Sequence, residues 1–516
     1  MPTRVTAIIL VALLAVIIGV PFVLRPRNEA ATAATSGPRL VIITPHNEQM
    51  RFEFERAFNR WRVEQGKPAV VFDWRTSGGT SDLRKQVLTE FSAEQHRAAR
   101  TGRPPRSIGY DLFFGGGDFE HDRLADGVVI QRDGQSVRIP ATEPISLPPG
   151  LLEEVFPEPT IGGERLYRPD MLWVGTALSS FGIVYNRDVL AMLDLPEPRT
   201  WADLQDERYL HWLALADPAH SGSIAATYNV ILRRHGWTEG WALLRRLFAN
   251  GRYFVASASK VPVDVSAGEA AAGMCIDFYG RFQAGAIHNA DGSSRVGYVD
   301  PPFVTAITAD PISIIRDAPN REIALEFIAW LLSVEAQNLW QKRLGTPGGP
   351  LRFELRRLPV RRDVYTPEHM QYWADDVDPF AIASPLPAAT PNWFSAVGPI
   401  THAMAVDIHS DLIAAWKAIV RHPNHPHRAE MLQLFDAMPP DLTLTWPDAE
   451  LAADWANILA DPDHLRYGEV VATLDAFQQS LRPIFGDAEA LIEARLRWTK
   501  FFRDNYRKIR ELAERD

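Results

Sequence analysis

The stretch LVIITPHNEQMRFEFERAFNRW, residues 40–61, decides the fold. It begins with the fully apolar run Leu40–Ile43, which predicts a buried strand. Met50, Phe54 and Phe58 then recur at helical spacing, so we expect a helix to follow a short polar loop. A buried strand that leads directly into an amphipathic helix is the repeating unit of α/β sheets.

The same alternation continues beyond this stretch. Val70–Trp74 predicts a second strand, and Leu83, Val87 and Phe91 mark a second helix. Asp111–Phe114 predicts a third strand. Strands and helices that alternate in this order predict a parallel sheet covered by helices, and therefore the α/β class.

A second α/β unit and a helical tail follow. The strand signals fade from Thr366 onward, and we expect the last helix, near Ala488–Glu514, to pack on the body through one apolar side. The strands predicted for the second unit are Phe181–Tyr185, Leu213–Ala216, Met274–Phe278 and Pro311–Ile315, and the helices are near Ala225–Arg234, Trp241–Phe248 and Arg321–Leu332.

Length and composition narrow the class of protein. The 516 residues suit two or three domains, and an apolar fraction of 46% provides ample core. The net charge of −10, without a dense basic run, argues against a nucleic-acid-binding protein. The one cysteine, Cys275, lies in an apolar run, so we expect a buried core residue and no disulfide within the chain.

The first residues predict export. Val5–Leu24 carries no charge, with Arg4 before it and arginines after it, and twenty apolar residues are enough to span a bilayer. The segment is either a signal peptide, with a cleavage site near Ala31–Ala33, or an uncleaved N-terminal membrane anchor. Both alternatives place the body outside the cytoplasm, with membrane contact only through residues 5–24.

Three loops should share one edge of the first sheet. Parallel strands present their carboxyl ends on the same side, and ligands of open sheets bind there. The loop at 76–81 combines glycines and hydroxyls before a helix, which suits an anion but also fits an ordinary helix cap. The candidate ligand-binding residues on this edge are His46, Ser77, Gly78, Gly79, Thr80, Gly116, Gly117 and Asp118.

The second unit repeats this arrangement after the strand Leu213–Ala216. Ser221, Gly222 and Ser223 open the next helix there and are further candidates for anion binding. The nearby histidines His422, His425 and His427 alternate with prolines and fit an exposed loop better than a metal site. The sequence contains no G-x-S-x-G, H-E-x-x-H or Walker-type motif, so we do not expect an enzyme.

Several segments in this order resemble the periplasmic solute-binding proteins of ABC importers, and among them the ferric-ion-binding type. The resemblance covers roughly Leu40–Leu344. It rests on Leu40–Ala57, Tyr110–Gly115, the FGIVYN strand at 181–186, Ala216–Asp217–Pro218 with Ser221–Gly222, Gly268–Gly273 and Arg321–Gln337.

The resemblance implies a type II binding fold of two α/β lobes that close on a small-molecule or metal ligand, and permease subunits of an ABC importer as partners. It places residues 1–38 in a signal or anchor with a tether. Residues 39–125 and 303–345 would form lobe 1 and residues 126–302 lobe 2. Residues 346–516 would form a mostly helical C-terminal extension packed on the body.

The ligand stays open between two classes. Ferric binders hold Fe³⁺ with two adjacent tyrosines, and the matching segment here keeps Tyr279 but not the second one. His46, Asp277 and Tyr279 form the candidate set for transported Fe³⁺, and Tyr185 is a further candidate for ligand contact. The serine–glycine loops instead favour a phosphorylated or otherwise anionic solute, while Asp118 and Asp277 suit a cationic group.

Two other functions remain as alternatives. The apolar N-terminal segment and the long helical tail also fit an exported, anchored module for sensing or interaction. An exported hydrolase on the same two-lobed frame is a weaker alternative, because the sequence offers no paired base and nucleophile.

Overall fold

The computed structural model describes residues 37–132, 134–289, 291–302, 304–387 and 389–515. The N-terminal apolar segment, on which the prediction of a signal or anchor rests, lies outside these ranges. Within them, no helix is both long enough and apolar enough to cross a membrane.

Sixteen strands are present in the described ranges, most of them in two sheets. They are β1 (Arg39–Ile43), β2 (Val71–Arg75), β3 (Leu112–Phe114), β4 (Val128–Arg132), β5 (Gln135–Ile139), β6 (Thr142–Glu143), β7 (Thr160–Ile161), β8 (Glu164–Arg165), β9 (Val174–Ser179), β10 (Phe181–Asn186), β11 (Leu213–Ala216), β12 (Gly251–Val255), β13 (Ala272–Ile276), β14 (Val296–Val299), β15 (Thr308–Ile315) and β16 (Leu358–Pro359).

The α-helices flank the sheets and make up most of the C-terminal third. They are α1 (Glu48–Glu64), α2 (Thr80–Thr101), α3 (Asp118–Asp126), α4 (Leu151–Val155), α5 (Arg187–Met192), α6 (Gly222–His235), α7 (Trp237–Asn250), α8 (Lys260–Ser266), α9 (Asp277–Ala286), α10 (Arg321–Leu331), α11 (Val334–Leu339), α12 (Pro367–Met370), α13 (Pro379–Ile382), α14 (Phe394–Met404), α15 (His409–Arg421), α16 (Arg428–Asp436), α17 (Ala449–Ala460), α18 (Tyr467–Gly486) and α19 (Ala488–Ala513).

The first sheet has the order β16-β9-β15-β3-β1-β2, with β6 paired to β15. Strand β1 lies between β2 and β3 and is parallel to both, as the sequence predicted. The loops that follow these three strands therefore meet at one edge. Strand β15 returns antiparallel to β3 and pairs with β9 on its other side.

The second sheet has the order β12-β11-β13-β10-β14 and lies in a separate lobe. Strand β11 is parallel to β12 and β13, whereas β10 is antiparallel to β13 and β14. The fully apolar β10 and β11 are buried along their whole length, because helices cover both faces of this sheet.

The sheets correct the predicted lobe boundaries. Strands β6 and β9 fall within residues 126–302, which we assigned to lobe 2, yet both lie in the first sheet. Strand β16, from the predicted extension, lies there too. Because β15 is buried, its backbone needs a hydrogen-bonding neighbour on each side, and β9 supplies one. Only Ser180 separates β9 from β10, so the chain passes from the first sheet to the second within one residue.

The C-terminal region is helical and packs on the second lobe, as predicted. Helix α19 contacts α14, α15 and α16 and buries Trp498, Phe502 and Ile509 completely. These side chains share one apolar core with the second sheet. The α/β fold with two lobes and a helical C-terminal extension is thus confirmed, and the extension is an integral part of the second lobe's core.

The chain passes between the lobes at neighbouring points. Ser180 joins a strand of the first sheet to a strand of the second, and its carbonyl accepts a hydrogen bond from the Asp277 amide at 3.0 Å. The Thr305 hydroxyl donates to the Phe181 carbonyl at 2.7 Å on a second crossing. Crossings that lie side by side are the usual site of a hinge between lobes.

Candidate functional site

Two adjoining cavities lie between the lobes. The outer chamber has a volume of about 680 Å³ and the inner chamber about 110 Å³. The residues common to both, which we call the waist, are Pro45, Thr80, Gly222, Ser223, Phe278 and Tyr279. Each lobe contributes to the waist, so a ligand held there touches both.

Three helices begin at this cleft. Helix α2 starts at Thr80 behind Gly79, and helix α3 starts at Asp118 behind Gly117. Neither glycine has a side chain that could cap the first turn. At α3 the Asp118 carboxylate accepts from the Phe119 amide at 2.8 Å, whereas no described side chain caps the start of α2. The first turn of a helix carries partial positive charge, which attracts anions.

The third helix, α6, begins across the cleft in the second lobe. Its N-cap is Ser221, whose hydroxyl accepts a hydrogen bond from the Ile224 amide at 3.4 Å. The Ser221 and Ser223 hydroxyls lie 3.1 Å apart. The helix thus directs two hydroxyls and the amides of Gly222 and Ser223 toward the first lobe.

The lobes approach so closely that glycine is required at the contact. A Cβ atom on Gly79 would lie 2.2 Å from the His220 carbonyl oxygen of the opposite lobe. This distance is far below van der Waals contact, so a side chain at Gly79 would hold the lobes apart. Within the first lobe, a Cβ on Gly116, whose φ of +107° already favours glycine, would lie 2.2 Å from Cγ2 of Thr80.

A buried cluster of charged and polar side chains lines the base of the inner chamber. The Arg357 Nη1 nitrogen donates to Asp310 Oδ2 at 2.9 Å and lies 3.2 Å from Nε2 of His46. His46 Nε2 is 2.9 Å from the same Asp310 oxygen, and the second Asp310 oxygen accepts from the Gly116 amide at 2.9 Å. Arg357 also donates to the Ser179 hydroxyl at 2.5 Å.

These contacts set the charge states at the base. Burial alone would raise the pKa of Asp310, but Arg357 and His46 outweigh it and hold that pKa at about 2. Burial lowers the pKa of His46 against the opposing effect of Asp310, so the imidazole is neutral at neutral pH. The base therefore presents an ion pair and a neutral histidine.

Arg357 is almost completely buried and its guanidinium lies between aromatic rings. It is 1% exposed, and its Cζ atom lies 4.5 Å from the ring centre of Phe278 and 5.5 Å from that of Trp340. Its Nε atom is buried and has no hydrogen-bond partner within the described residues. Because Asp310 already balances its charge, Arg357 offers a ligand an unpaired N–H donor rather than a net positive charge.

Acidic side chains line the other wall of the inner chamber. These acidic side chains are Asp118, Glu120 and Glu164, and Arg233 lies opposite them. Glu120 is paired with Arg84 and accepts from the Ser81 hydroxyl at 2.6 Å, and Glu164 is paired with Arg233 across the lobes. The oxygens of Asp118 and Glu120 each already accept one hydrogen bond, from the Phe119 amide and Arg165 or from Ser81 and Arg84. Oε2 of Glu164 and the second lone pairs of the other oxygens are left to accept from hydroxyl or amino groups of a ligand.

The structure brings most of the predicted site residues to this cleft. Seven of them line the outer chamber or the waist, and four reach only the inner chamber. The predicted residues that line one or both chambers are His46, Gly78, Gly79, Thr80, Gly116, Gly117, Asp118, Ser221, Gly222, Ser223 and Tyr279.

Three predicted residues lie elsewhere. The Ser77 hydroxyl faces solvent and donates to Gln86 at 2.6 Å. The Tyr185 hydroxyl donates to Glu197 on the far side of the second lobe, at 2.5 Å. Asp277 is fully buried behind the cleft wall, because the strand predicted to run to Phe278 ends at Ile276 and a helix begins there.

The candidate iron ligands do not form a set. Asp277 lines neither chamber, and His46 is already bonded to Asp310 and Arg357. Burial raises the pKa of Tyr279 to about 12, which keeps its phenol protonated. In the described part of the chain no three His, Cys, Asp or Glu side chains are grouped as a metal site, the histidines at 422–427 included.

Sequence reasoning missed two residues of the base. Arg357 is one of five arginines between positions 352 and 362, and nothing local distinguishes it. Asp310 could have been identified from the sequence, because it is an acidic residue at the start of the apolar run of β15. A buried carboxylate in a central strand requires a partner, and that requirement points to a site.

A comparison with protein families finds a match within this chain. The family described as bacterial extracellular solute-binding protein matches residues 155–356. This segment includes the second sheet and strand β15, and it ends directly before Arg357.

This chain is also similar to individual proteins and solved structures. The phosphoglycerate transport regulatory protein PgtC of Salmonella typhimurium is 27% identical over 166 residues, which are 32% of this chain and 40% of PgtC. The match thus spans about two fifths of the length of this curated relative. The structure of the periplasmic binding protein AfuA from Actinobacillus pleuropneumoniae, with exogenous fructose-6-phosphate bound, covers 74% of this chain and 98% of AfuA.

The likeness to AfuA concerns the fold, with a TM-score of 0.50 and 16% identity. Iron-bound HitA from Pseudomonas aeruginosa has a TM-score of 0.46 and 18% identity, over 68% of this chain and 92% of HitA. The resemblance inferred from the sequence is confirmed: the chain has the two-lobed fold of type II periplasmic binding proteins, and its residues 155–356 match the bacterial extracellular solute-binding proteins.

Proposed function

We propose that this chain captures a small phosphorylated solute between its lobes and delivers it to the permease of an ABC importer. The observation that carries the proposal is the convergence of three helix N-termini on one cleft beside the buried Arg357. Amide groups and a buried guanidinium together stabilise a dianionic head group without needing a metal.

Closure of the lobes would complete this site. Helices α2 and α3 belong to the first lobe and α6 to the second, so a phosphate at the waist accepts hydrogen bonds from both. A ligand that gains contacts with both lobes favours the closed arrangement by the difference in its affinity for the two states. The close contact at Gly79 fits such a closed state.

The rest of the ligand would carry hydroxyl groups. The acidic wall of the inner chamber, with Asp118, Glu120 and Glu164, offers acceptors that match hydroxyl donors. The names of two similar proteins agree with this class, since one refers to phosphoglycerate transport and the other to bound fructose-6-phosphate. A phosphorylated sugar or hydroxy acid therefore fits the cleft best.

Ferric iron fits the cleft less well. Fe³⁺ needs several hard anionic oxygens. Asp310, the carboxylate at the base of the inner chamber, is already engaged by Arg357, His46 and the Gly116 amide. We therefore favour a phosphorylated solute over ferric iron as the transported ligand.

A calorimetric titration of the purified full-length protein tests the proposal. The ligands are fructose 6-phosphate, 3-phosphoglycerate, inorganic phosphate, 2-aminoethylphosphonate, spermidine and ferric citrate, with fructose and glycerate as matched compounds that lack phosphate. We expect binding of at least one phosphorylated compound and none of its unphosphorylated counterpart. Such a ligand at a hundred times its Kd also stabilises the fold by about 2.7 kcal/mol.

Variants in the anion-binding region connect the binding to this site. Ser221→Ala removes a hydroxyl at the start of α6, and Ser480→Ala is the matched control on the exposed face of α18. We expect weaker phosphate-ester binding in the first variant alone. Binding of ferric citrate with a visible charge-transfer band, and of no phosphorylated compound, would replace this proposal with the iron function.

A further inference from the structure

The C-terminal extension contributes a wall to the inner chamber. Asn392 and Phe394 line this chamber although they lie more than thirty residues beyond β16. The Phe394 ring stacks on Phe119 with ring centres 4.1 Å apart and planes inclined by 24°. Phe119 belongs to α3 of the first lobe, so the pair closes the chamber from opposite lobes.

Phe394 is held in a fixed position by the second lobe. It begins α14, whose Ala396, Val397 and Ile400 are buried in the core of that lobe. The preceding Trp393 amide donates to the Asn229 side chain at 2.9 Å, and Asn229 itself lines the inner chamber. The backbone that carries the ring is therefore fixed by buried contacts.

Phe119 is held from the first lobe in a similar way. The guanidinium carbons of Arg84 and Arg123 lie 5.9 and 5.3 Å from the centre of its ring. These cation–π contacts restrict its movement, and stacking on Phe394 adds a preferred geometry. Two rings restrained from opposite lobes form a rigid end to a chamber of only about 110 Å³.

We propose that Phe394 determines specificity by setting the maximal length of the ligand that the closed cleft accepts. The inference rests on the proposed capture of a phosphorylated solute. With the phosphate at the waist, the organic part of the ligand extends toward the aromatic pair. A ligand with one sugar unit fills the chamber, and a longer one meets the Phe394 ring.

Two substitutions at one position give opposite expectations. Phe394→Ala shortens the wall, so the affinity for trehalose 6-phosphate should rise relative to that for fructose 6-phosphate by about tenfold or more, the usual effect of a pocket wall on a small group. Phe394→Trp lengthens the wall, so affinity for fructose 6-phosphate should fall while that for inorganic phosphate stays within about twofold. The control is Phe353→Ala, which breaks the Phe52–Phe353 pair and lines neither chamber.

Calorimetric titration tests whether Phe394 limits the length of the ligand. The full-length wild type and variants are titrated with inorganic phosphate, glycerol 3-phosphate, fructose 6-phosphate and trehalose 6-phosphate. Far-ultraviolet circular dichroism checks that each variant is folded. If the wild type binds the short esters and both Phe394 variants keep its order of affinities, the inference is overturned while the proposed function stands. If the wild type binds none of the four, this inference is overturned; if it also binds neither 3-phosphoglycerate nor 2-aminoethylphosphonate, the proposed function is overturned with it.

Discussion

The Nη1 nitrogen of Arg357 lies 2.9 Å from Oδ2 of Asp310, and both side chains are at most 5% exposed. The pair joins strand β15 to the segment just before β16, and it forms the base of the inner chamber. A buried ion pair is costly to form and still more costly to break from one side. Because the pair also lines a cavity, ligand binding and the stability of the fold both depend on Arg357 and Asp310.

Removal of the Arg357 charge should weaken both ligand binding and the stability of the fold. We expect Arg357→Met to lower the free energy of unfolding by about 3–5 kcal/mol, because Asp310 is left buried without its partner. The double variant Arg357→Met, Asp310→Asn removes both charges and should regain most of that stability. Chemical denaturation of the two variants measures the difference.

The double variant also isolates the role of Arg357 in binding. If the guanidinium attracts the anionic ligand, the refolded double variant should bind fructose 6-phosphate or 3-phosphoglycerate at least about tenfold more weakly than the wild type. Affinity equal to that of the wild type in calorimetry would remove Arg357 from the binding site.

Gly79→Ala tests whether the close contact between the lobes is needed for capture. The new Cβ would lie 2.2 Å from the His220 carbonyl oxygen, so the variant should close incompletely and bind its ligand at least about tenfold more weakly. Gly468→Ala on α18, where a Cβ meets no atom within 4 Å, is the control. Small-angle X-ray scattering with saturating ligand should show a larger radius of gyration for Gly79→Ala; equal radii would argue against the steric account.

The contact between His402 and Asp217 should make the docking of the extension depend on pH. His402 Nε2 lies 3.0 Å from both Asp217 oxygens and Nδ1 lies 3.0 Å from Asp407. Burial lowers the pKa of His402, but these two carboxylates outweigh it, so the pKa is raised above 6.5. The stabilisation is therefore complete below about pH 6.5 and is lost as the pH rises through the folded-state pKa.

His402→Gln measures this contribution. The variant keeps hydrogen-bonding groups but cannot carry a charge, so its deficit in unfolding free energy should be about 1 kcal/mol near pH 6 and smaller near pH 9. His464→Gln, on an exposed turn, is the control. A deficit that is the same at both pH values would show that protonation of His402 plays no part.

The buried Asp277 carboxyl should lower the free energy of unfolding at neutral and alkaline pH. Burial raises its pKa to about 7, and neither carboxylate oxygen has a hydrogen-bond partner in the described part of the chain. The folded protein then holds a proton that the unfolded chain releases near pH 3.8, so stability falls as the pH rises from about 4 through 7. Asp277→Asn should raise the unfolding free energy at pH 8 by about 1–3 kcal/mol. Thermal denaturation at pH 5 and pH 8 would contradict this if the gain were equal at both.

Much of the first lobe followed from local patterns. The apolar run of β1 and the helical spacing of Met50, Phe54 and Phe58 predicted a strand–helix unit, and the structure contains it with bounds that differ by one residue or a few. The loops after β1, β2 and β3 could be placed at one edge because a parallel sheet allows no other arrangement. Most of the candidate residues of the cleft follow from that rule alone.

Residues that act through distant contacts could not be predicted in this way. Ser77 and Gly78 are neighbours in one polar loop, yet only Gly78 lines the cleft, because side-chain direction depends on how the turn packs. Asp277 looked like a ligand but lies behind the wall, since the start of α9 turns it away from the chambers.

The sequence by itself determined the α/β class, the edge at which the site lies and the glycine- and serine-rich helix starts, because these depend on short-range periodicity and backbone freedom. Only the tertiary structure decided that β9 and β16 complete the first sheet, that Arg357 meets Asp310, and that Phe394 closes the inner chamber. Those contacts join residues from 47 to 275 positions apart or pair whole strands across the sheet. Such pairings depend on how the lobes and the extension pack together, which no local pattern records.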